Sequence, residues 1–171
     1  MRKEFEKPAD VIRIISENIK PYDTAIALGG GKLGLEKHTL SASKTTSYEF
    51  SERGEAWAKE LGFSYKKTDL MRCKKISADL VVAFDVLEHL PKDRALKLIQ
   101  MADCNQIVVF MPINEKALSE KQEPSENGTL MKHISSWSED DFLAMGFRTW
   151  VSEGYHKPDN GGTDAIIAIW G

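Results

Sequence analysis

The 171-residue sequence predicts a doubly wound α/β domain, and three observations predict it. Short apolar runs (TAIAL at 24–28, DLVVAF at 79–84 and QIVVFM at 106–111) suit the middle strands of a parallel sheet covered on both faces. Segments with helical spacing of apolar residues lie between them, so strand and helix alternate as right-handed crossovers require. A glycine turn, Gly29-Gly30-Gly31, closes the first of these runs.

Taken in order, residues 8–19 place Val11, Ile12, Ile15 and Ile19 on one helical stripe, with Pro8 suited to a first turn. The first strand follows at 24–28, and residues 45–50 (TTSYEF) are β-prone. Ser51 is placed to cap a helix running to about Leu61, with Gly62 as its stop. Phe63–Thr68 and Asp79–Phe84 read as strands, and 91–102 as a helix with Pro91 in its first turn and Ala95, Leu98, Ile99 and Ala102 inward. The strand at 106–111 is expected to end at Pro112. Residues 114–130 are polar, contain Pro124 and Gly128, and read as a long surface loop, the core of an expected lid over 114–136. Ser138 opens a capping box with Asp141 and a helix to about Met145. Residues 147–153 and 164–170 then form two closing strands joined by the turn-rich HKPDNGG.

Composition bounds the rest. With 23 basic and 26 acidic side chains the formal charge is −3, and 42% of the residues are apolar, enough for one packed domain over 1–171. A pI near 5.8 argues against a nucleic-acid partner, and no run of 18 apolar residues marks a membrane span. The N-terminus lacks an apolar signal core, so a cytoplasmic location is expected. Cys73 and Cys104 are too few for a disulfide framework or a cysteine zinc site.

Four chemistry-bearing positions fall at carboxyl ends of the expected strands: Gly29, Glu49, Asp69 and Asp85. In open parallel sheets that edge is where ligands sit. Glycines let a ligand approach the backbone, and a carboxylate ending the next strand can accept from both hydroxyls of a ribose. Singly, each acid also reads as a turn or cap residue; together they favour a site.

With these residues in view, the chain resembles a class I S-adenosylmethionine-dependent methyltransferase. The likeness spans nearly the whole sequence: the turn at 29–31, Glu49 with SERGEAWAKELGF after it, Asp69-Leu70, FDVLEHLPKDRALKLI at 84–99, MPIN at 111–114 and HISSWSEDDFLAMGF at 133–147. It implies a Rossmann-like, seven-stranded, mostly parallel sheet of order 3-2-1-4-5-7-6 with helices on both faces. It implies S-adenosylmethionine as cofactor, with Gly29, Gly30 and Gly31 at its methionine part, Glu49 on the ribose, Asp69 and Leu70 beside the adenine, and Asp85 near the sulfonium. The implied reaction is methyl transfer to an oxygen or nitrogen of a small-molecule or glycan-type acceptor. Glu88, His89 and His133 are the candidate pocket or general-base residues, with Asn114 beside them and Trp137 as an anchor for the lid.

Two positions depart from the family pattern. Ala27 stands where an acid helps hold the donor's amino group, and Leu33 replaces the third glycine of the turn. They favour an alternative reading, a non-catalytic binding or assembly domain. A further alternative rests on Asp85, Glu88, His89 and His133, whose D-x-x-E-H spacing resembles the metal site of small-RNA 3′-terminal 2′-O-methyltransferases. Carboxylate and imidazole suit a divalent ion. The principal reading needs no metal.

Overall fold

The computed structural model describes residues 2–29, 33–115, 132–156 and 163–171. Its main sheet has seven strands: β1 (Ala25–Leu28), β2 (Thr45–Glu49), β3 (Ser64–Lys67), β4 (Leu80–Phe84), β5 (Gln106–Ile113), β6 (Arg148–His156) and β7 (Thr163–Trp170). Their spatial order is β3-β2-β1-β4-β5-β7-β6, the order expected from the resemblance. The first five pair parallel, and β7 runs antiparallel to both of its neighbours.

Alternation along the central strands sends side chains into two cores. Ala25, Ala27, Leu80, Val82 and Val108 pack on one face with Val11, Ile14 and Ile15 of α1 (Pro8–Asn18). Ile26, Leu28, Val81, Ala83 and Val109 pack on the other with Ala95 and Leu98 of α4 (Lys92–Gln100) and Phe142 of α5 (Glu139–Ala144). Both faces are therefore covered, which is why β4 and β5 are buried along their whole length. The stripe of α1 centres on Ile14 rather than on the expected Ile12, which is half-buried.

The other helices are α2 (Glu36–Thr39), which the sequence pattern did not indicate, and α3 (Glu52–Glu60). Ser51 caps α3 as expected, its Oγ accepting from the Gly54 amide at 3.1 Å. Gly62, at φ +76°, takes the left-handed turn that ends the helix region. Asp141 Oδ2 accepts from the Ser138 amide at 2.8 Å, so the expected capping box opens α5.

Three expectations need correction. β5 continues through Pro112 to Ile113. Phe110 directs its carbonyl to the β4 side, accepting from Asp85 N, and residue 112 faces the same way by strand alternation. β4 has ended there, so the missing N–H of Pro112 forfeits no ladder bond. Second, α4 stops at Gln100, and Ala102-Asp103 pairs instead with Ile76-Ser77 as a separate two-stranded ribbon. Third, β6 runs past the expected end at residue 153 to His156, the first residue of the expected tip; the rest of that hairpin tip, 157–162, lies outside the described residues. Among the described residues no helix is long and apolar enough to cross a membrane.

Leu33 is fully buried in the α1-side core although its φ is +52°, a conformation that disfavours a side chain. Two effects oppose each other in Leu33→Gly. Relief of the left-handed backbone gains about 1–2 kcal/mol, and loss of the buried side chain costs about 2–5 kcal/mol. The loss wins, so denaturant unfolding of Leu33→Gly should show a protein about 1–3 kcal/mol less stable than the parent.

Candidate functional site

The site begins where β1 ends. Gly29 turns at φ +55° while its amide donates to the Tyr48 carbonyl at 2.8 Å. A Cβ there would lie 3.0 Å from both methyl carbons of Val86 and 3.6 Å from Leu70 Cδ1. Glycine is thus required by conformation and by space, and the end of β1 meets the segments that follow β3 and β4. Gly30 and Gly31 lie outside the described residues.

Glu49 ends β2, and its Oε1 accepts from the amides of Phe50 (2.7 Å) and Ser51 (3.0 Å). A Cβ on Gly54 would come within 2.1 Å of Glu49 Cγ, so this helical glycine exists to admit the Glu49 side chain. The Glu49 carbonyl accepts from Thr68 N at 3.0 Å, which sets Glu49 and Asp69 on the same edge of the sheet. Asp69 directs Oδ1 to the Met71 amide (2.9 Å), stiffening its own turn. Arg94, on α4, donates from Nε to the Leu70 carbonyl (2.8 Å) and from Nη2 to that of Cys73 (2.7 Å), fastening this turn to the helix. Nothing in the sequence marked Arg94 for that task.

Asp85 follows β4 at φ +51°, its amide donating to the Phe110 carbonyl at 2.8 Å. Its side chain reaches solvent but stands in a crowded recess, and that desolvation raises its carboxyl to about 6, opposed by His133. A second acid escaped the sequence analysis. Glu36 opens α2, is 2% exposed, and is pushed up to about 8 by burial, with Asp85 adding repulsion and the backbone of residues 36 and 35 opposing the rise. Ala27 is enclosed in apolar neighbours, and Leu33 turns into the same core.

Beyond Asp85, the 3-10 turn Leu87–His89 carries the other candidates. Glu88 is 1% exposed, and neither of its carboxylate oxygens has a hydrogen-bond partner among the described residues. Burial, then Asp85 and Glu115, raise its carboxyl well above the usual range. His89 makes a 3.0 Å bond from Nδ1 to the Lys132 carbonyl, which only accepts, so that nitrogen carries the proton and Nε2 lies 3.9 Å from Glu88 Oε1. His133 Nδ1 lies 2.7 and 2.8 Å from the two oxygens of Glu115, and the two imidazoles meet edge to face at 4.8 Å. Ligand atoms of Glu88, His89 and His133 all fall within 4.8 Å of one another. Asp85 is not part of that group.

A strap formed by residues 132–137 holds the cluster together. Ile134 and Ser135 donate their amides to the Glu88 carbonyl (2.8 and 3.2 Å), and Ser135 Oγ donates to the Leu87 carbonyl (3.1 Å). Trp137 anchors the strap as expected: it is 2% exposed, stacks on Phe142 at 5.4 Å, and donates Nε1 to Ser135 Oγ. Asn114 donates from Nδ2 to Asp164 Oδ2 at 2.9 Å. Most of the expected lid, 116–131, lies outside the described residues.

Comparison with known proteins bears on the fold. No family model matches the chain, and no curated protein matches it by sequence. Solved structures do. Coclaurine N-methyltransferase bound to N-methylheliamine and SAH superposes with a TM-score of 0.67 at 13% identity, over 98% of this chain and 74% of that one. The DhpI–SAH complex gives 0.65 at 18% identity, over 94% and 82%. The methyltransferase domain of bacterial CtHen1 gives 0.58 at 17%, over 96% of each. This chain has the class I S-adenosylmethionine-dependent methyltransferase fold. In that fold the Gly29 turn, Glu49 and Asp85 occupy the carboxyl edge of the central strands, where open α/β sheets take their ligands.

Two outcomes follow from this geometry. Gly54→Ala gains less than about 1 kcal/mol of helix propensity but forces Glu49 aside, and strain of about 1–3 kcal/mol should dominate as a lowered Tm. For Glu36 the folded state holds its proton to about 8 whereas the unfolded chain releases it near 4.5, so folding binds protons and stability falls as pH rises between those values. The unfolding free energy of the parent from denaturant titration should drop across that window by on the order of a few kcal/mol, and Glu36→Gln should flatten the decline.

Proposed function

We propose that this chain binds S-adenosylmethionine along the carboxyl edge and transfers its methyl group to an oxygen or nitrogen of a small-molecule or glycan-type acceptor. The reading is carried by one observation: the Gly29 turn, closed against Val86 and Leu70, opens on the same edge as Glu49 and Asp85. The glycine turn at 29–31 would take the donor's methionine part, Glu49 its ribose, Asp69 and Leu70 its adenine border, and Asp85 the side of the sulfonium. Burial of Ala27 in the core leaves the family's amino-group acid absent there; Asp85 is the acid that carries charge at neutral pH, and Glu36, which keeps its proton to about 8, offers a protonated carboxyl.

The chemistry asked of the protein is light, because a sulfonium is an activated methyl donor. Its work is to align donor and acceptor, exclude water and accept a proton. With Nδ1 of His133 turned to Glu115, Nε2 is the nitrogen left to take a proton from an acceptor hydroxyl or amine.

A second reading is favoured by the orphaned carboxylate of Glu88. Buried charge without a partner is costly, and a cation shared with His89 and His133 would satisfy it. These three residues would hold a divalent ion, which supplies Lewis acidity toward an acceptor hydroxyl.

Titration calorimetry with S-adenosylmethionine and SAH tests the donor site. Micromolar SAH binding is expected, weakened about 10- to 100-fold in Glu49→Ala, since a hydrogen bond to a charged group contributes about 1.5–3 kcal/mol. Folded protein that binds neither compound at millimolar concentration would instead be a non-catalytic domain.

A further inference from the structure

We propose that Glu115 is a positioning residue for this site: it holds the Nδ1 proton of His133 and so turns Nε2 toward Glu88 and His89. The proposal rests on the reading of Glu88, His89 and His133 as acceptor-side residues, and adds a fourth residue that the sequence did not indicate.

The geometry is reciprocal. Each histidine gives Nδ1 to an acceptor outside the cluster, His89 to the Lys132 carbonyl and His133 to the Glu115 carboxylate. Both rings are thereby set in one tautomer that leaves Nε2 free of the proton; that of His89 lies 3.9 Å from Glu88 Oε1, and a ring nitrogen of His133 belongs to the same cluster. Such outer carboxylates fix ring orientation and raise the basicity of the nitrogen that does the work.

Glu115 is itself held. The Ser136 hydroxyl donates to its carbonyl at 3.2 Å, and the adjoining Asn114 amide donates to the Trp137 carbonyl at 2.8 Å. Its side chain is 15% exposed, against 31% for His133, which distinguishes the pair from a solvated surface ion pair of small value. Glu88 and Glu115 thus lie beside the two imidazoles, with Asp85 acting on His133 at longer range, and Glu115 is bonded to a ring nitrogen.

The test reads the tautomer directly. Long-range proton–nitrogen NMR of the whole protein at alkaline pH, with the resonance assigned through His133→Gln, should show His133 protonated at Nδ1. Glu115→Ala should shift it toward the Nε2–H form, and Glu115→Gln, whose amide oxygen still accepts, should restore Nδ1–H. Mn²⁺ titration of the same samples should show about a 10- to 100-fold weaker ion in Glu115→Ala and a smaller loss in Glu115→Gln. A wild-type His133 protonated at Nε2, or a tautomer unchanged in a folded Glu115→Ala protein, overturns the proposal; the wild-type spectrum decides even if the alanine variant does not fold. Absence of Mn²⁺ binding in the parent would remove the cation reading, and absence of SAH binding the donor reading, while the tautomer still judges Glu115.

Discussion

The turn at Gly29 is the constraint from which the carboxyl edge takes its shape. β1 is hydrogen-bonded on both sides, so its end must be left abruptly, and the left-handed backbone at Gly29 does this while its amide stays bonded to β2. The space a side chain would take is filled by Val86, which stands just after β4. Two departing segments are thereby locked together. The cost of the turn is met by packing further along, where Leu33 accepts a positive φ in exchange for complete burial.

Buried acids gather at this edge. Glu36, Asp85 and Glu88 all have carboxyls raised by burial, with two of them raised further by a neighbouring acid. Acids crowded at low dielectric hold their protons more tightly, and a cationic ligand favours their charged forms. A sulfonium donor carries that charge, and so does a divalent ion. The same acids that depress stability as pH rises would strengthen binding of either.

Much of this was legible in the sequence, for physical reasons. Runs such as LVVAF must be buried on both faces, and Ser51, Gly62 and the Ser138–Asp141 pair act locally, so period and capping sufficed to locate the strands and most helices. Pro112 misled because a missing donor matters only where a partner exists. The short α2 has no periodic stripe, and the ribbon of Ile76-Ser77 with Ala102-Asp103 is too brief to carry one. Glu36, Arg94 and Glu115 were illegible for another reason: each acts on residues distant in sequence, and an acid or base in a polar stretch looks like a solvated face until the chain folds.

The two halves of the site are not independent. The short stretch from Asp85 to His89 bears on both: Val86 packs on the Gly29 turn, whereas Glu88 and His89 face the strap. The 3-10 turn leaves little slack between them, because Glu88 receives two strap amides at its carbonyl and Leu87 receives the Ser135 hydroxyl at its own. A shift of the strap must therefore move Glu88, and through the turn press on Val86 and the glycine beneath it. The glycine turn and the strap are joined through five residues, so if the proposed methyl transfer holds, the alignment it requires would be set by the backbone rather than left to side-chain rotamers.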